Sequence, residues 1–173
     1  MELIFNNQFS IFEDIFYNYL TPKQCTKLYS SNKILYNVYI NHNKFESNYF
    51  TPNDRNELIY AVDVWCNINE DKAILRYGHI SFWNTIKITN MECMFQKKSY
   101  FNADISDWNT SNVTDISDMF SYTKNFNQNL NNWNISNIRY MKFTFYNALS
   151  FNKDNCIYWD LSNIEDTNKI YMY

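Results

Sequence analysis

Phe101-Asn102-Ala103-Asp104-Ile105-Ser106-Asp107-Trp108-Asn109-Thr110-Ser111-Asn112-Val113-Thr114-Asp115-Ile116-Ser117-Asp118-Met119-Phe120 decides how this chain is read, because its landmarks recur. Tryptophan stands at Trp83, Trp108, Trp133 and Trp159, in steps of 25, 25 and 26 residues. Five residues after each lie Ile88, Val113, Ile138 and Ile164, and twelve after lie Phe95, Phe120, Phe145 and Tyr171. Phe101, Phe126 and Phe151 keep the step of 25. A period of this length belongs to repeat architectures, where one unit cannot bury its apolar face alone and stacked neighbours can.

Within one repeat, Trp and the residue two beyond it share a face if the segment is extended, so Trp83/Thr85, Trp108/Thr110, Trp133/Ile135 and Trp159/Leu161 are expected to point inward. After each strand the apolar residues step by three and one, as in Met91, Met94, Phe95 and Ile116, Met119, Phe120, which predicts a short helix. Thr89 with Glu92 suits a capping box for the first of these helices, and Thr114 suits a cap for the second. Arg139 and Glu165 hold the same column later, where helices should start less firmly. The expected fold class is α+β: a short N-terminal helical segment, then a leucine-rich-repeat-like solenoid of about four 25-residue strand–helix repeats.

Ahead of the repeats, Ile11, Phe12, Ile15, Phe16, Tyr19 and Leu20 form an apolar stripe at helical spacing that ends at Thr21-Pro22. Shorter helices carry Cys25 and Leu28, then Leu35, Val38 and Tyr39. A polar linker follows. Asn53 or Asp54 is a candidate N-cap for a helix with Leu58, Ala61, Val62 and Trp65 on one face. Gly78, the only glycine, follows a second short helix where a C-terminal cap needs positive φ. The domains expected are 1–45, helical; 46–79, linker and helical cap; and 80–173, the repeats.

With 46% hydrophobic and 20% aromatic residues the chain can bury a core, and its net charge of −3 carries no basic stripe, so nucleic acid is not expected as a partner. Cys25, Cys66, Cys93 and Cys156 are scattered without a C-x-x-C pair and read as small core residues in a reducing compartment. His42 and His79 lack metal-ligand spacing, so neither metal nor cofactor is expected. No leader and no membrane span is visible in the sequence, which points to an intracellular, cytoplasmic protein. No phosphate loop and no nucleophile beside a histidine emerges, so no enzyme is expected. Asn and Ser after each Trp are read as turn residues bonding to nearby backbone.

Two resemblances sharpen this reading. Tyr19-Leu20-Thr21-Pro22-Lys23-Gln24, a helix with Leu28, and Ser31-Asn32-Lys33-Ile34-Leu35-Tyr36 resemble the F-box, although the opening Leu-Pro is absent and Cys25 stands where leucine is usual. That resemblance implies docking onto the small adaptor subunit of cullin-type ubiquitin ligases through Phe16, Tyr19, Leu20, Pro22, Leu28 and Leu35. Three short helices capping the repeats are the competing reading. Residues 56–173, and Phe101 to Phe120 above all, resemble the BspA-like leucine-rich repeats, also described as DUF285, which giant DNA viruses are said to encode beside F-box-like segments. The expected function is a non-enzymatic adaptor, with the N-terminal helices holding the ligase subunit and the repeats holding a target protein. A plain interaction or adhesion module is the alternative. In the repeats, the column just before Trp changes each time, from Phe82 to Asp107, Asn132 and Tyr158, so it is the expected target-binding face, with the two aromatics as anchors.

Overall fold

A computed structural model describes residues 50–68, 70–165 and 170, all within the second of the two units into which the chain divides, residues 49–173. The expected helices of residues 1–45, and with them Phe16, Tyr19, Leu20, Pro22, Leu28 and Leu35, lie outside the described residues.

Helix α1, Arg55–Asp63, starts where the sequence says it should. The Asp54 carboxylate accepts from the Glu57 amide at 2.9 Å, and the Glu57 carboxylate accepts from the Asn53 amide at 2.7 Å, so two donors at the helix start are satisfied reciprocally. Leu58, Ala61 and Val62 are buried along one face. A π-helical turn, Val64–Ile68, leads to α2, Glu70–Tyr77, which Gly78 closes with φ 71° and an amide bond to the Ile74 carbonyl at 2.9 Å. These elements cover the first repeat: Phe50, Tyr77 and Trp65 lie edge-on or tilted against Trp83 with centroids 5.2, 6.0 and 6.1 Å away.

From Ile80 onward the structure departs from the strand–helix expectation. Among the described residues there is no strand, only the isolated parallel bridges Asn90–Asp115 and Asp115–Tyr140, and beyond α2 the only helical pieces are the 3-10 turns Ile80–Phe82 and Lys153–Cys156. The chain is a stack of turn-built coils, and the leucine-rich-repeat architecture is corrected accordingly. Extension fails after each Trp because Asn84, Asn109, Asn134 and Asp160 each accept a hydrogen bond from the amide two residues on, at 3.0–3.2 Å, which bends the chain at once.

The expected helices fail for a different reason. Met94, Met119 and Thr144 donate to the carbonyls three residues earlier, and the third residue of each such turn, Cys93, Asp118 or Phe143, has φ of 56–58°. Four residues on, Lys97, Tyr122 and Asn147 repeat the device with φ of 54–62°. A left-handed residue in every turn prevents a right-handed helix, while the three-and-one apolar spacing is kept. The amides that a helix would use internally go to the neighbouring coil. Met91, Cys93, Phe95 and Lys97 donate to the carbonyls of Asp115, Ser117, Met119 and Ser121 at 2.8–3.0 Å, and Ile116, Asp118, Phe120 and Tyr122 do the same one coil later. Left-handed geometry costs roughly 1–2 kcal/mol per non-glycine residue, and one net backbone hydrogen bond offsets about 0.5–1.5 kcal/mol.

The capping box of Thr89 and Glu92 is likewise replaced. The Glu92 amide bonds Asn90 Oδ1 at 2.9 Å, and Thr114 gives both its amide and its hydroxyl to the Thr89 carbonyl. Arg139 donates its amide to Thr114, and Glu165 donates to Arg139, so this column links coils and starts no helix.

The inward columns are those read from the sequence. Trp83, Thr85, Trp108, Thr110, Trp133 and Ile135 are buried, and Trp159 and Leu161, on the last coil, are half-buried. Phe95, Phe120 and Phe145 stack parallel at 5.5 Å, and each also lies flat on Phe101, Phe126 or Phe151 at 3.9–4.1 Å. Each indole also ties its coil to the chain before it: Trp108, Trp133 and Trp159 donate Nε1 to the carbonyls of Ile80, Ile105 and Leu130 at 2.8–3.0 Å. The buried ring thus brings a satisfied donor with it. The extra residue of the last repeat is taken up in the 3-10 turn Lys153–Cys156, whose Cys156 is buried in the Ile/Leu column. Among the described residues, no helix is long and apolar enough to cross a membrane.

Candidate interaction surface

Every coil turns a corner just before its tryptophan. The amides of Trp83, Trp108, Trp133 and Trp159 bond to the carbonyls of Ile80, Ile105, Leu130 and Cys156 at 3.0–3.3 Å, which makes the pre-Trp residue the third of a four-residue turn. Asp107 and Asn132 are exposed there, and Tyr158 is 83% exposed. Phe82 differs: it is half-buried, its ring 6.1 Å from that of His79, because the helical cap meets the first coil at this corner. The structure therefore aligns three of the four residues on one open edge and partly covers the fourth.

The columns beside this edge are occupied by framework bonds. The Asn or Asp after Trp holds the amide two residues on, and for Asp160 the bond from the Ser162 amide, followed by that from its hydroxyl, holds the carboxyl below its usual range. Thr85 and Thr110 give their hydroxyls to the carbonyls of Asn109 and Asn134 at 2.8 and 3.0 Å. Asn112 and Asn137 donate Nδ2 to Ile86 and Ser111, each at 2.7 Å. Asn131 Oδ1 accepts from the Tyr158 amide at 3.1 Å, so the polar side chain of one coil steadies the corner of the next.

A groove of about 570 Å³ opens between the π-helical turn and the segment Lys97–Ala103. Buried Trp65 and Phe101 and fully open Tyr100 line it, and a Lys98–Asp63 ion pair of 2.6 Å ties α1 to the first coil nearby. Its lining holds no histidine or carboxylate, so no acid–base pair faces the space. Cys93 is exposed on a left-handed turn; partial burial, then the carboxylates of Asp118 and Glu92, push its thiol pKa up, which disfavours the nucleophilic thiolate. Among the described residues, no group of three or more His, Cys, Asp or Glu side chains could hold a metal ion.

Sequence reasoning missed the exposed Ile157 beside Tyr158, which occupies a column held by Ser81, Ser106 and Asn131 in the other repeats. An apolar residue replacing a polar one in that column was the available signal.

A profile of the family described as "Mycoplasma protein of unknown function, DUF285" matches residues 67–173. No curated protein and no solved structure matches the chain.

Proposed function

The chain belongs to the DUF285 family, and from that premise we propose that it is a non-enzymatic protein-binding module whose coils present the pre-Trp edge to a target protein. One observation carries this reading: a column that changes in every repeat sits at an outward turn position, while the columns beside it are held by the same bonds in coil after coil. Structural need does not dictate Asp107, Asn132 or Tyr158. Across the three coils that carry them, these residues span roughly 10 Å at the usual spacing of hydrogen-bonded neighbouring chains. Tyr158 and Ile157 provide an apolar anchor at one end, and Asp107 and Asn132 provide polar selection between.

The finer reading is an intracellular adaptor. Its support is the F-box-like run from Tyr19 to Tyr36, through which Phe16, Tyr19, Leu20, Pro22, Leu28 and Leu35 would engage the small adaptor subunit of a cullin-type ligase. Binding there follows the apolar face, so Leu20→Asp or Leu28→Asp abolishes adaptor capture and leaves target capture intact.

The test compares the tagged full chain with an Asp107→Ala/Tyr158→Ala variant in affinity purification from eukaryotic cells, followed by rebinding of each purified candidate. The expected result is a target whose affinity falls at least tenfold, about 1.4 kcal/mol, in the variant, with an unchanged melting curve. A target bound equally by both proteins refutes the assignment of the edge.

A further inference from the structure

Four of the tryptophans donate the indole N–H to a backbone carbonyl: Trp83 to Gly78 at 3.1 Å, and Trp108, Trp133 and Trp159 to the preceding chain at 2.8–3.0 Å. Trp65 is the exception. It is only 7% exposed, its ring stands edge-on to His79 and Trp83 at 4.9 and 6.1 Å, and its Nε1 has no hydrogen-bond partner among the described residues. A buried indole ordinarily finds one. Among the described residues the side-chain atom sealed from solvent without a partner is Ser121 Oγ, so Trp65 Nε1 reaches open space, and the groove beside the π-helical turn is the space that Trp65 lines. Single π-helical turns are frequent at functional sites. Around the same groove stand other groups that the fold leaves unused. Lys97, exposed on its left-handed turn, and Ser99 have no side-chain partner among the described residues. Asn102 spends Oδ1 on the Asn127 amide and on Gln128 at 2.9 and 3.0 Å, which leaves its Nδ2 unused. Tyr100 is 92% exposed and meets no other ring among the described residues, while Phe101 beside it is fixed by its stack on Phe95 at 4.0 Å.

We propose that this groove binds a small aromatic carboxylate, a planar ring system bearing one negative charge. The unused groups are an indole N–H, an ammonium, an amide and a hydroxyl, each able to donate, so the ligand has to supply acceptors. Of the described side chains that line the groove, Lys97 and Lys98 carry charge, and Lys98 is neutralised by Asp63 at 2.6 Å. One unbalanced ammonium matches one carboxylate, whose two oxygens accept from Lys97 and from a neutral donor such as Trp65 Nε1. A phosphate dianion would leave a charge uncompensated. The open face of Tyr100 takes the ring, since flat aromatic surfaces stack well on one another. The groove's volume of about 570 Å³ falls within the usual range for small-molecule sites, roughly 300–1,000 Å³. None of the pre-Trp residues takes part, so the site stands or falls independently of that edge.

The test is titration of the full chain with naphthoate, followed in proton–nitrogen correlation spectra that resolve the tryptophan indole signals. Trp65→Phe identifies the Trp65 signal by its loss. Probes for comparison are naphthylmethanol, which is neutral, naphthylmethylamine, which is cationic, and naphthyl phosphate. The expected result is a saturable shift of the Trp65 indole signal with a Kd below about 1 mM, at least tenfold weaker binding of the alcohol and the amine, and no gain in affinity for the phosphate. Lys97→Asn weakens naphthoate at least tenfold, leaves the alcohol unchanged and melts at the same or a higher temperature, because Asn suits the left-handed turn. Absence of saturation, a Trp65 signal that stays in place, equal binding of the alcohol or the amine, tighter binding of the phosphate, or an unchanged naphthoate affinity in Lys97→Asn each overturns the proposal.

Discussion

Glycine placed at the left-handed turn positions tests the coil architecture most directly, because it carries opposite signs in a turn and in a helix. Cys93 and Lys97 are both exposed, with φ of 58° and 62°, and their amides bond to Ser117 and Ser121 of the next coil. Cys93→Gly keeps that amide and removes the clash of a Cβ in left-handed backbone, a relief of roughly 1–2 kcal/mol. Against it stands the larger entropy that glycine loses on folding, roughly 0.5–1 kcal/mol. The net expectation is a gain of about 0.5–1 kcal/mol, read as about 1–4 °C in Tm for a chain of this size. Lys97→Gly follows the same arithmetic. Glu92→Gly is the control, exposed and adjacent but without positive φ, and it should lose about 0.5–1 kcal/mol. Thermal melts of the three variants, repeated in guanidinium, decide the matter. If Cys93→Gly and Lys97→Gly destabilise as much as Glu92→Gly, these segments are helical and the turn architecture is wrong.

Phe120→Ala, fully buried between Phe95 and Phe145, should lose about 3–5 kcal/mol in chemical denaturation; a loss under about 1 kcal/mol would mean that the phenylalanine stack does not carry the core. Ser121 buries a hydroxyl that has no hydrogen-bond partner among the described residues, so Ser121→Ala should raise stability by about 1 kcal/mol, and a loss of that size would reveal a bond made by this oxygen. Tyr158→Ala should change stability by no more than about 0.5 kcal/mol, since only its backbone is anchored; a larger loss would make it structural. Its raised pKa leaves Cys93 with a smaller thiolate fraction, so its alkylation, followed by site-resolved mass spectrometry, should be slower than that of a free thiol at pH 7 and should go on rising with pH after a free thiol has levelled off. Rapid labelling at pH 7 would contradict that environment.

The spacing of aromatic residues alone was enough to find which side chains point inward. Trp108, Thr110, Val113 and Phe120 are each buried where the 25-residue register puts them, and Asp54 and Gly78 cap their helices as their chemistry demands. Secondary structure was not legible in the same way. Three-and-one spacing at Met91, Met94 and Phe95 satisfies a helix and a pair of linked turns alike, and what separates them is the backbone at Cys93 and Lys97, residue types that carry no left-handed signature. The indole-to-carbonyl bonds join residues 28 or 29 apart in sequence, so no local pattern could announce them. Of the binding edge, the variability of the column was visible, but the partial covering of Phe82 by His79 depends on how the cap packs.

Because the first coil meets the second through the same backbone amides and carbonyls by which the second meets the third, those two seams are equivalent in their main-chain bonds. A segment of 25 residues could be duplicated or excised at such a seam with these backbone bonds re-formed, whereas an insertion of any other length would put the rings out of phase. The corner at Lys153–Cys156, which absorbs one surplus residue in a single 3-10 turn, marks the position where that rule relaxes. Growth of the stack is thus counted in whole coils, and diversity can enter at the corners without being renegotiated in the core.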